Sequence, residues 1–197
     1  MDRAHRATRT CLSISLKVGN SLQVAGLVTE NEAVIGFVEG KHTPGNLRHR
    51  NISTDSLVVV VAPSHSWAHR RTPLSITDIS RSPFVLREPG SGTREVLESA
   101  LEQERLTLAP GMELGSTTAI KAAVVEGIGP AVLSHLAVRS EVGDGRLVVV
   151  PTSGLDLRRT IRAVWSQSRP LSREGEEFLS RVKAMTSKSL SRGSNDK

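Results

Sequence analysis

The residues with the clearest capacity for chemistry lie in the segment Gly90-Ser91-Gly92-Thr93-Arg94, between a predicted strand and a predicted helix. Free backbone N–H groups at a helix start, two hydroxyls and a guanidinium can together bind an anion, and glycines let a ligand approach the backbone. The alternative interpretation is a turn in which Ser or Thr caps the helix. Local sequence favours that alternative slightly, because capped glycine turns are common.

A second cluster of hydroxyls, Gly115-Ser116-Thr117-Thr118, lies at the start of the next predicted helix. One such cluster carries little information. Two clusters, each at the carboxyl end of a strand, fit the rule that open α/β sheets bind ligands in the crevice beyond those ends. The pair therefore indicates a ligand site at this edge of the fold.

Other candidate chemical groups give weaker signals. His65 and His69 have the helical spacing of a metal pair, but no clear third ligand exists, so surface or packing roles are predicted and no metal or cofactor is expected. Glu88 beside Arg87 could be an acid with its partner, although a simple ion pair is the preferred interpretation. The sequence contains no phosphate loop, nucleophile elbow or zinc-protease motif. No catalytic residue is assigned, and no enzyme is predicted.

The first half of the chain must position these groups through strands and one helix. Alternation predicts a strand at Ser13–Val18, a helix at about Leu22–Glu30 and a strand at Val34–Gly40. Leu57–Ala62 is an unbroken apolar run stopped by Pro63, which is typical of a buried strand. The segment Ser64–Ile79 is predicted to be a loop.

The second half alternates strands and helices. After the strand Phe84–Leu86, the helix of the glycine turn follows, and a second helix has Ser116 as its N-cap and ends at Gly127. The remaining predictions are strands at Met112–Leu114, Ala131–Leu133, Leu147–Val150 and Ile161–Trp165, a helix at Ser172–Met185, and a disordered tail at 187–197. With 38% hydrophobic and only 3% aromatic residues, this order predicts an α/β fold with one or two open parallel sheets.

The formal net charge of +6 is compatible with nucleic-acid contact, with attraction of small anions or with a solubilising surface. The basic residues are scattered in ones and twos, as in Arg70-Arg71 and Arg158-Arg159, which favours a solvated surface. A single cysteine, Cys11, excludes an internal disulfide framework. No apolar stretch follows the Arg-rich N-terminus, so neither a signal peptide nor a membrane span is predicted, and a cytoplasmic location is expected.

In this order and spacing, four segments resemble the effector-binding domain of LysR-type bacterial transcription regulators: Leu57–Trp67, Leu86–Arg94, Glu113–Lys121 and Val125–Ser134. The resemblance extends from about Leu12 to Met185. It implies a two-lobed α/β fold of the periplasmic-binding-protein type (type 2), with an effector held between the lobes and crossover strands at Leu57–Ala62 and Thr160–Trp165.

Carried onto this chain, the resemblance places residues 1–58 and 164–186 in lobe one and residues 59–163 in lobe two, with 187–197 as the tail. Two departures from the family pattern matter. Nothing before Cys11 is expected to supply the winged helix-turn-helix, and Met1–Arg9 is expected to be at most the tail of the helix that, after a strand, normally opens lobe one. Lobe one is therefore expected to be incomplete at its N-terminus. Ser66 also replaces a proline that is frequent in relatives.

The resemblance also implies an effector site between the lobes. The predicted contacts are Asn20, Ser21 and Glu39 from lobe one and Arg87, Ser91, Gly92, Thr93, Ser116 and Thr117 from lobe two. Hydroxyls and free amides at two helix starts, with Arg87 or Arg94 close by, favour a small anionic metabolite. The other expected partners are a second or further copies of the chain, as a homodimer or homotetramer, and DNA only through a separate N-terminal domain.

Two functions from other classes remain open beside a sensing module. A free-standing solute-binding protein could deliver a small anion to a transporter, and it would require export. An enzyme on the same fold, such as a dehydratase of a small carboxylic acid, would require a titratable pair with shifted pKa values in the cleft. Because the predicted cleft offers mainly hydroxyls and backbone amides, the sensing module is the leading prediction.

Overall fold

The computed structural model describes residues 14–40 and 45–193. A 3-10 turn covers Ser66–His69. The helices and strands in chain order are α1 (Ser21–Thr29), β1 (Gly36–Gly40), β2 (Leu47–Val61), α2 (Ile76–Arg81), β3 (Pro83–Arg87), α3 (Gly92–Gln103), β4 (Ala109–Leu114), α4 (Thr117–Val125), β5 (Ala131–Ser134), α5 (His135–Gly143), β6 (Val148–Val150), β7 (Arg158–Ser166) and α6 (Arg173–Gly193).

The long strand β2 connects the two halves of the molecule. Its first part, from Leu47 to Ser56, pairs with β7, which in turn pairs with β1 on its other side. Its last residues, from Leu57 to Val61, pair with β5 and β6 instead. One continuous backbone thus passes from one group of strands to the other, as the predicted crossover at Leu57–Ala62 requires.

Strand direction differs from the sequence-based expectation. Every pairing of the larger sheet, β1 with β7 and β2 with β5, β6 and β7, is antiparallel, and among the described strands only β3 and β4 form a parallel ladder. A backbone hydrogen bond of 2.8 Å from Val85 N to Pro130 O connects the parallel pair to the residue before β5. The prediction of open parallel sheets was therefore wrong for the larger sheet, because apolar runs report burial on both faces and not strand direction.

The buried valines of β2 separate two hydrophobic clusters. Val59 and Val61 pack on one face with Phe84 and Leu97, whereas Val60 packs on the other face with Ile120. This alternation is expected because successive side chains of a strand point to opposite faces. Two smaller clusters lie on either side of β7. The cluster with α1 contains Val28, Val38 and Val164. The cluster with α6 contains Ile52, Trp165 and Leu179.

Three sequence-based element predictions were wrong. Residues 14–20 form no strand: Ile14, Leu16 and Val18 are 63%, 83% and 90% exposed, and no described strand pairs with them. Ser13 lies outside the described residues. The predicted loop at Ser64–Ile79 contains the 3-10 turn and the start of α2, which Ser75 caps through Asp78 N. Of the predicted disordered tail at 187–197, the part up to Gly193 is a continuation of α6, and residues 194–197 lie outside the described residues. None of the described helices is both long and apolar enough to cross a membrane.

Candidate ligand-binding cleft

A cavity of about 630 Å³ lies where α1 begins, β1 ends, and α3 and α4 begin. We call it the first cavity. Eight of the nine site residues predicted from the sequence line it: Asn20, Ser21, Glu39, Arg87, Ser91, Gly92, Ser116 and Thr117. The ninth, Thr93, lines an adjoining cavity of about 400 Å³, the second cavity, which shares Glu39, Arg87 and Thr117 with the first. The structure thus brings all nine residues to one connected cleft.

The start of α1 is held in place by hydrogen bonds of Asn20 and Ser21. Asn20 caps the helix, because its Oδ1 accepts from Gln23 N at 2.9 Å while Gln23 Oε1 accepts from Asn20 N at 3.0 Å. Its side-chain amide also donates across the cleft to Glu88 Oε1 at 3.1 Å. The Ser21 hydroxyl donates to Glu39 O at 2.9 Å and accepts from Glu39 N at 3.0 Å, which holds the end of β1 against α1.

The start of α3 touches the end of β1 directly. A Cβ atom built on Gly92 would lie 2.1 Å from the carbonyl oxygen of Glu39, so only glycine allows this approach. The preceding turn includes Gly90 at φ +86, a conformation that side chains other than glycine rarely adopt, and Gly90 O accepts from Leu22 N at 3.1 Å. The turn therefore closes the cleft by backbone contacts. Ser91 is buried and makes no side-chain capping bond.

Arg87 and Glu88 link α1 to α4 through side chains. Arg87 donates Nε and Nη2 to the Glu88 carboxylate at 2.8 and 3.0 Å, and Nη1 to the Thr117 hydroxyl at 3.3 Å. These hydrogen bonds from Arg87 outweigh desolvation and, with the bond from Asn20, lower the pKa of Glu88 from 4.5 to about 2. Glu88 therefore stays ionised in this position and is a structural member of the cleft wall.

Because ionised Glu88 is stabilised in the folded chain, its contribution to stability should be complete above the ordinary carboxyl pKa and lost as the pH falls toward about 2. We expect the difference in free energy of unfolding between the wild type and Glu88→Gln to shrink steadily from about pH 6 to about pH 3. Urea unfolding at a series of pH values measures this difference. A difference that stays constant over the range would contradict the assigned role.

A buried ion-pair network forms the floor of the second cavity. Arg159, on β7, donates Nε and Nη2 to Asp55 Oδ2 at 2.9 and 2.7 Å, and both side chains are only 4% exposed. Its Nη1 donates to the Thr93 hydroxyl at 2.8 Å and lies 2.5 Å from Glu39 Oε2. Ser134, at the end of β5, donates to the other oxygen of Asp55 at 3.0 Å. This network, which we call the Arg159 network, joins β1, β2, β5, β7 and the start of α3.

Sequence reasoning missed both central members of the Arg159 network. Arg158-Arg159 was assigned to a solvated surface, which is wrong for Arg159. The period of two along a strand carried the signal, because it places Arg159 on the same face as Ile161 and Ala163. The same period places Asp55 on the face of Leu57 and Val59, although Asp55 lies in a short polar run before the buried valines. Thr93 is 5% exposed, and its hydroxyl already accepts from Arg159.

Other residues considered from the sequence have roles outside the cleft. Arg94 lines neither cavity and instead donates to Glu98 and Glu113, each at 2.6 Å, so that of the two arginines expected near the ligand, Arg87 or Arg94, only Arg87 borders the described cavities. His65 caps the 3-10 turn by accepting from Trp67 N at 3.1 Å. Within residues 14–40 and 45–193 there is no group of three or more side chains suited to a metal ion.

The cleft can bind a small polar ligand through fixed donors. The helices α1, α3 and α4 all begin at its wall, and the first N–H groups of a helix have no partner within the helix. The Ser116 hydroxyl accepts from Ala119 N at 3.4 Å, so it caps α4 while its oxygen still borders the cavity. Three helix starts and several hydroxyls therefore meet in one space, which favours hydrogen-bond acceptors on the ligand.

A cleft between two groups of strands, joined by the long strand β2 that continues from one group to the other, is typical of two-lobed binding domains of the periplasmic-binding-protein type (type 2). Within this class the sequence matches the family described as LysR substrate binding domain over residues 3–187. The chain belongs to that family.

Relatives agree with this assignment. An HTH-type transcriptional regulator of Mycobacterium tuberculosis, Rv2282c, is 38% identical over 160 residues, which are 79% of this chain and 51% of the relative. The Escherichia coli regulator YeiE is 34% identical over 168 residues, or 85% of this chain and 57% of YeiE. The chain thus spans about half the length of these curated relatives.

Among solved structures, the regulatory domain of Synechocystis CcmR in complex with 2-PG is similar, with a TM-score of 0.78 and 28% identity. The match covers 88% of this chain and 83% of the CcmR chain. The resemblance to LysR-type effector-binding domains stated from the sequence motifs is confirmed.

Proposed function

We propose that this domain senses a small anionic metabolite bound in the first cavity. The observation that carries the proposal is the convergence of the starts of α1, α3 and α4, with the hydroxyls of Ser21, Ser116 and Thr117, on one cavity of about 630 Å³. A helix N-terminus stabilises an adjacent anion by about 0.3–1 kcal/mol when exposed and by up to about 2 kcal/mol when partly buried. The similar CcmR regulatory domain is described in complex with 2-PG, which supports a small-molecule ligand for this domain.

The same cleft suggests how binding reaches the rest of a regulator. We propose that lobe one comprises residues 1–58 and 164–186 and lobe two residues 59–163, so that a ligand between them changes their closure. In the whole protein, the signal would pass to a DNA-binding part through a homodimer or homotetramer in the cytoplasm. The relatives' names as transcriptional regulators favour this function over delivery of a solute to a transporter and over catalysis.

Thr117→Val should weaken binding of an anion about tenfold, near 1.4 kcal/mol, because it removes a hydroxyl at the cavity wall while keeping the side-chain shape. Isothermal titration calorimetry with 2-PG and inorganic phosphate measures the change. The control is Thr118→Val, one residue further along α4, whose side chain is exposed and does not line the cavity.

Two outcomes of this titration would contradict the proposal. Equal losses in Thr117→Val and Thr118→Val would show that the substitutions disturb α4 and not a ligand contact. Binding of neutral analogues as tightly as the anions would show that the cleft does not select negative charge.

A further inference from the structure

The charges around the cleft conflict with simple anion binding. The described charged side chains that line the two cavities are three carboxylates, Glu39, Asp55 and Glu88, and two guanidiniums, Arg87 and Arg159. One negative charge is therefore left over before any ligand enters. An anion added to this set would meet like charge in a partly buried site, which costs free energy unless one of the carboxylates moves away.

Among these carboxylates, Glu39 differs in its freedom to move. Asp55 is 4% exposed and held by Arg159 and Ser134, and Glu88 is held by Arg87 and Asn20. The Glu39 side chain is 40% exposed, and its carboxylate contacts Nη1 of Arg159 at 2.5 Å. Its backbone is fixed by Ser21 on both N and O, so only the side chain can swing out.

Arg159 is the group that such a movement would uncover. It is 4% exposed and lines the second cavity, where Glu39 covers its Nη1 from the cleft side. Asp55 and Thr93 keep the guanidinium in place from the other side. A ligand carboxylate or phosphate could replace the Glu39 carboxylate on Nη1 without any other rearrangement of the network.

We propose that Glu39 is an internal counter-ion of Arg159 that the anionic group of a ligand displaces. The proposal rests on the proposed function, since it specifies how the cleft accepts an anion. It assigns Arg159 as a ligand-binding residue and makes Glu39 a competitor of the ligand. The ligand class is an anion whose charged group reaches past the end of β1 to the floor of the second cavity.

Two substitutions at position 39 separate displacement from a plain change of charge. Glu39→Gln removes the competing charge, whereas Glu39→Asp keeps the charge but shortens the side chain by one methylene, so its carboxylate falls short of Arg159. Displacement predicts that both variants bind 2-PG or inorganic phosphate more tightly than the wild type, by about tenfold for Gln and less for Asp. The control Glu102→Gln removes the same formal charge from an exposed position on α3 and should leave the affinity unchanged.

Calorimetric titration of the four proteins with both probes decides the proposal. Tighter binding in Glu39→Gln alone would show that the charge of Glu39 opposes the ligand without being displaced, which overturns the inference. Weaker or equal binding in both variants overturns the inference as well. The proposed function still stands in that case if Thr117→Val binds the anion more weakly than the wild type does. Absence of binding in all four proteins overturns the proposed function and the inference with it.

A crystal structure of the complex gives a second measurement that does not depend on affinity. Displacement predicts that the Glu39 carboxylate, which is 2.5 Å from Arg159 Nη1 in this structure, moves beyond salt-bridge distance and that a ligand oxygen takes its place. A bound anion with the Glu39 contact intact would overturn the inference.

Discussion

Asp55→Ala is expected to lower the free energy of unfolding by about 3–5 kcal/mol, because it leaves Arg159 buried without its main counter-ion. The two side chains are each 4% exposed and share two hydrogen bonds, so the substitution leaves a buried guanidinium with one counter-ion fewer. For a domain of this size the loss corresponds to a fall of roughly 6–20 °C in Tm. Thermal and urea unfolding measure it.

The chain supplies a matched control in Asp156→Ala. Asp156 pairs with Arg158, the residue next to Arg159, but the two side chains are 62% and 77% exposed. An exposed pair of this kind contributes about 0–1 kcal/mol, so the control should change stability little. The double variant Asp55→Ala with Arg159→Leu should recover part of the loss, since it removes the unpaired charge. Similar effects of Asp55→Ala and Asp156→Ala would contradict the structural role of the Arg159 network.

Gly92→Ala should weaken anion binding at least about tenfold and destabilise the fold by about 1–3 kcal/mol. The added Cβ would lie 2.1 Å from the carbonyl oxygen of Glu39, which is backbone and cannot rotate away. The start of α3 must then separate from the end of β1, and this separation moves Ser91 and Glu39 at the cavity wall. Calorimetry with 2-PG and urea unfolding measure the two effects.

Gly26→Ala is the matched control for this substitution. Gly26 lies inside α1, where an added Cβ would have no atom within 4 Å. Alanine is the better helix former, so the control should stabilise the chain by about 0.5–1 kcal/mol. If Gly92→Ala also stabilises the chain or leaves ligand affinity unchanged, the tight contact between α3 and β1 does not shape the cleft.

Much of the local structure follows from the sequence. The apolar run at Leu57–Ala62 forms a buried strand ending at Val61, and Ser116 caps α4 as its position before a helical pattern predicts. The glycine turn does lead from β3 into α3. These features depend on neighbouring residues, through burial, capping and the conformations open to glycine, so a single sequence contains enough information for them.

Features that depend on contacts between distant residues required the tertiary structure. The first half of β2 is polar, and it becomes a strand because β7 pairs with it across more than a hundred residues of chain, from Arg158 to Ser166. Asp55 and Arg159 are 104 positions apart, and only the pairing of β2 with β7 brings the two side chains together.

In the cleft, too, some features follow from the local sequence and others from contacts between distant residues. The sequence indicated which helix starts carry hydroxyls and glycines. Only the fold placed Glu39 between the first cavity and a buried guanidinium, because the end of β1, the start of β7 and the start of α3 meet there. Local pattern records which groups can bind a ligand, whereas the packing of distant elements decides which of those groups are already occupied.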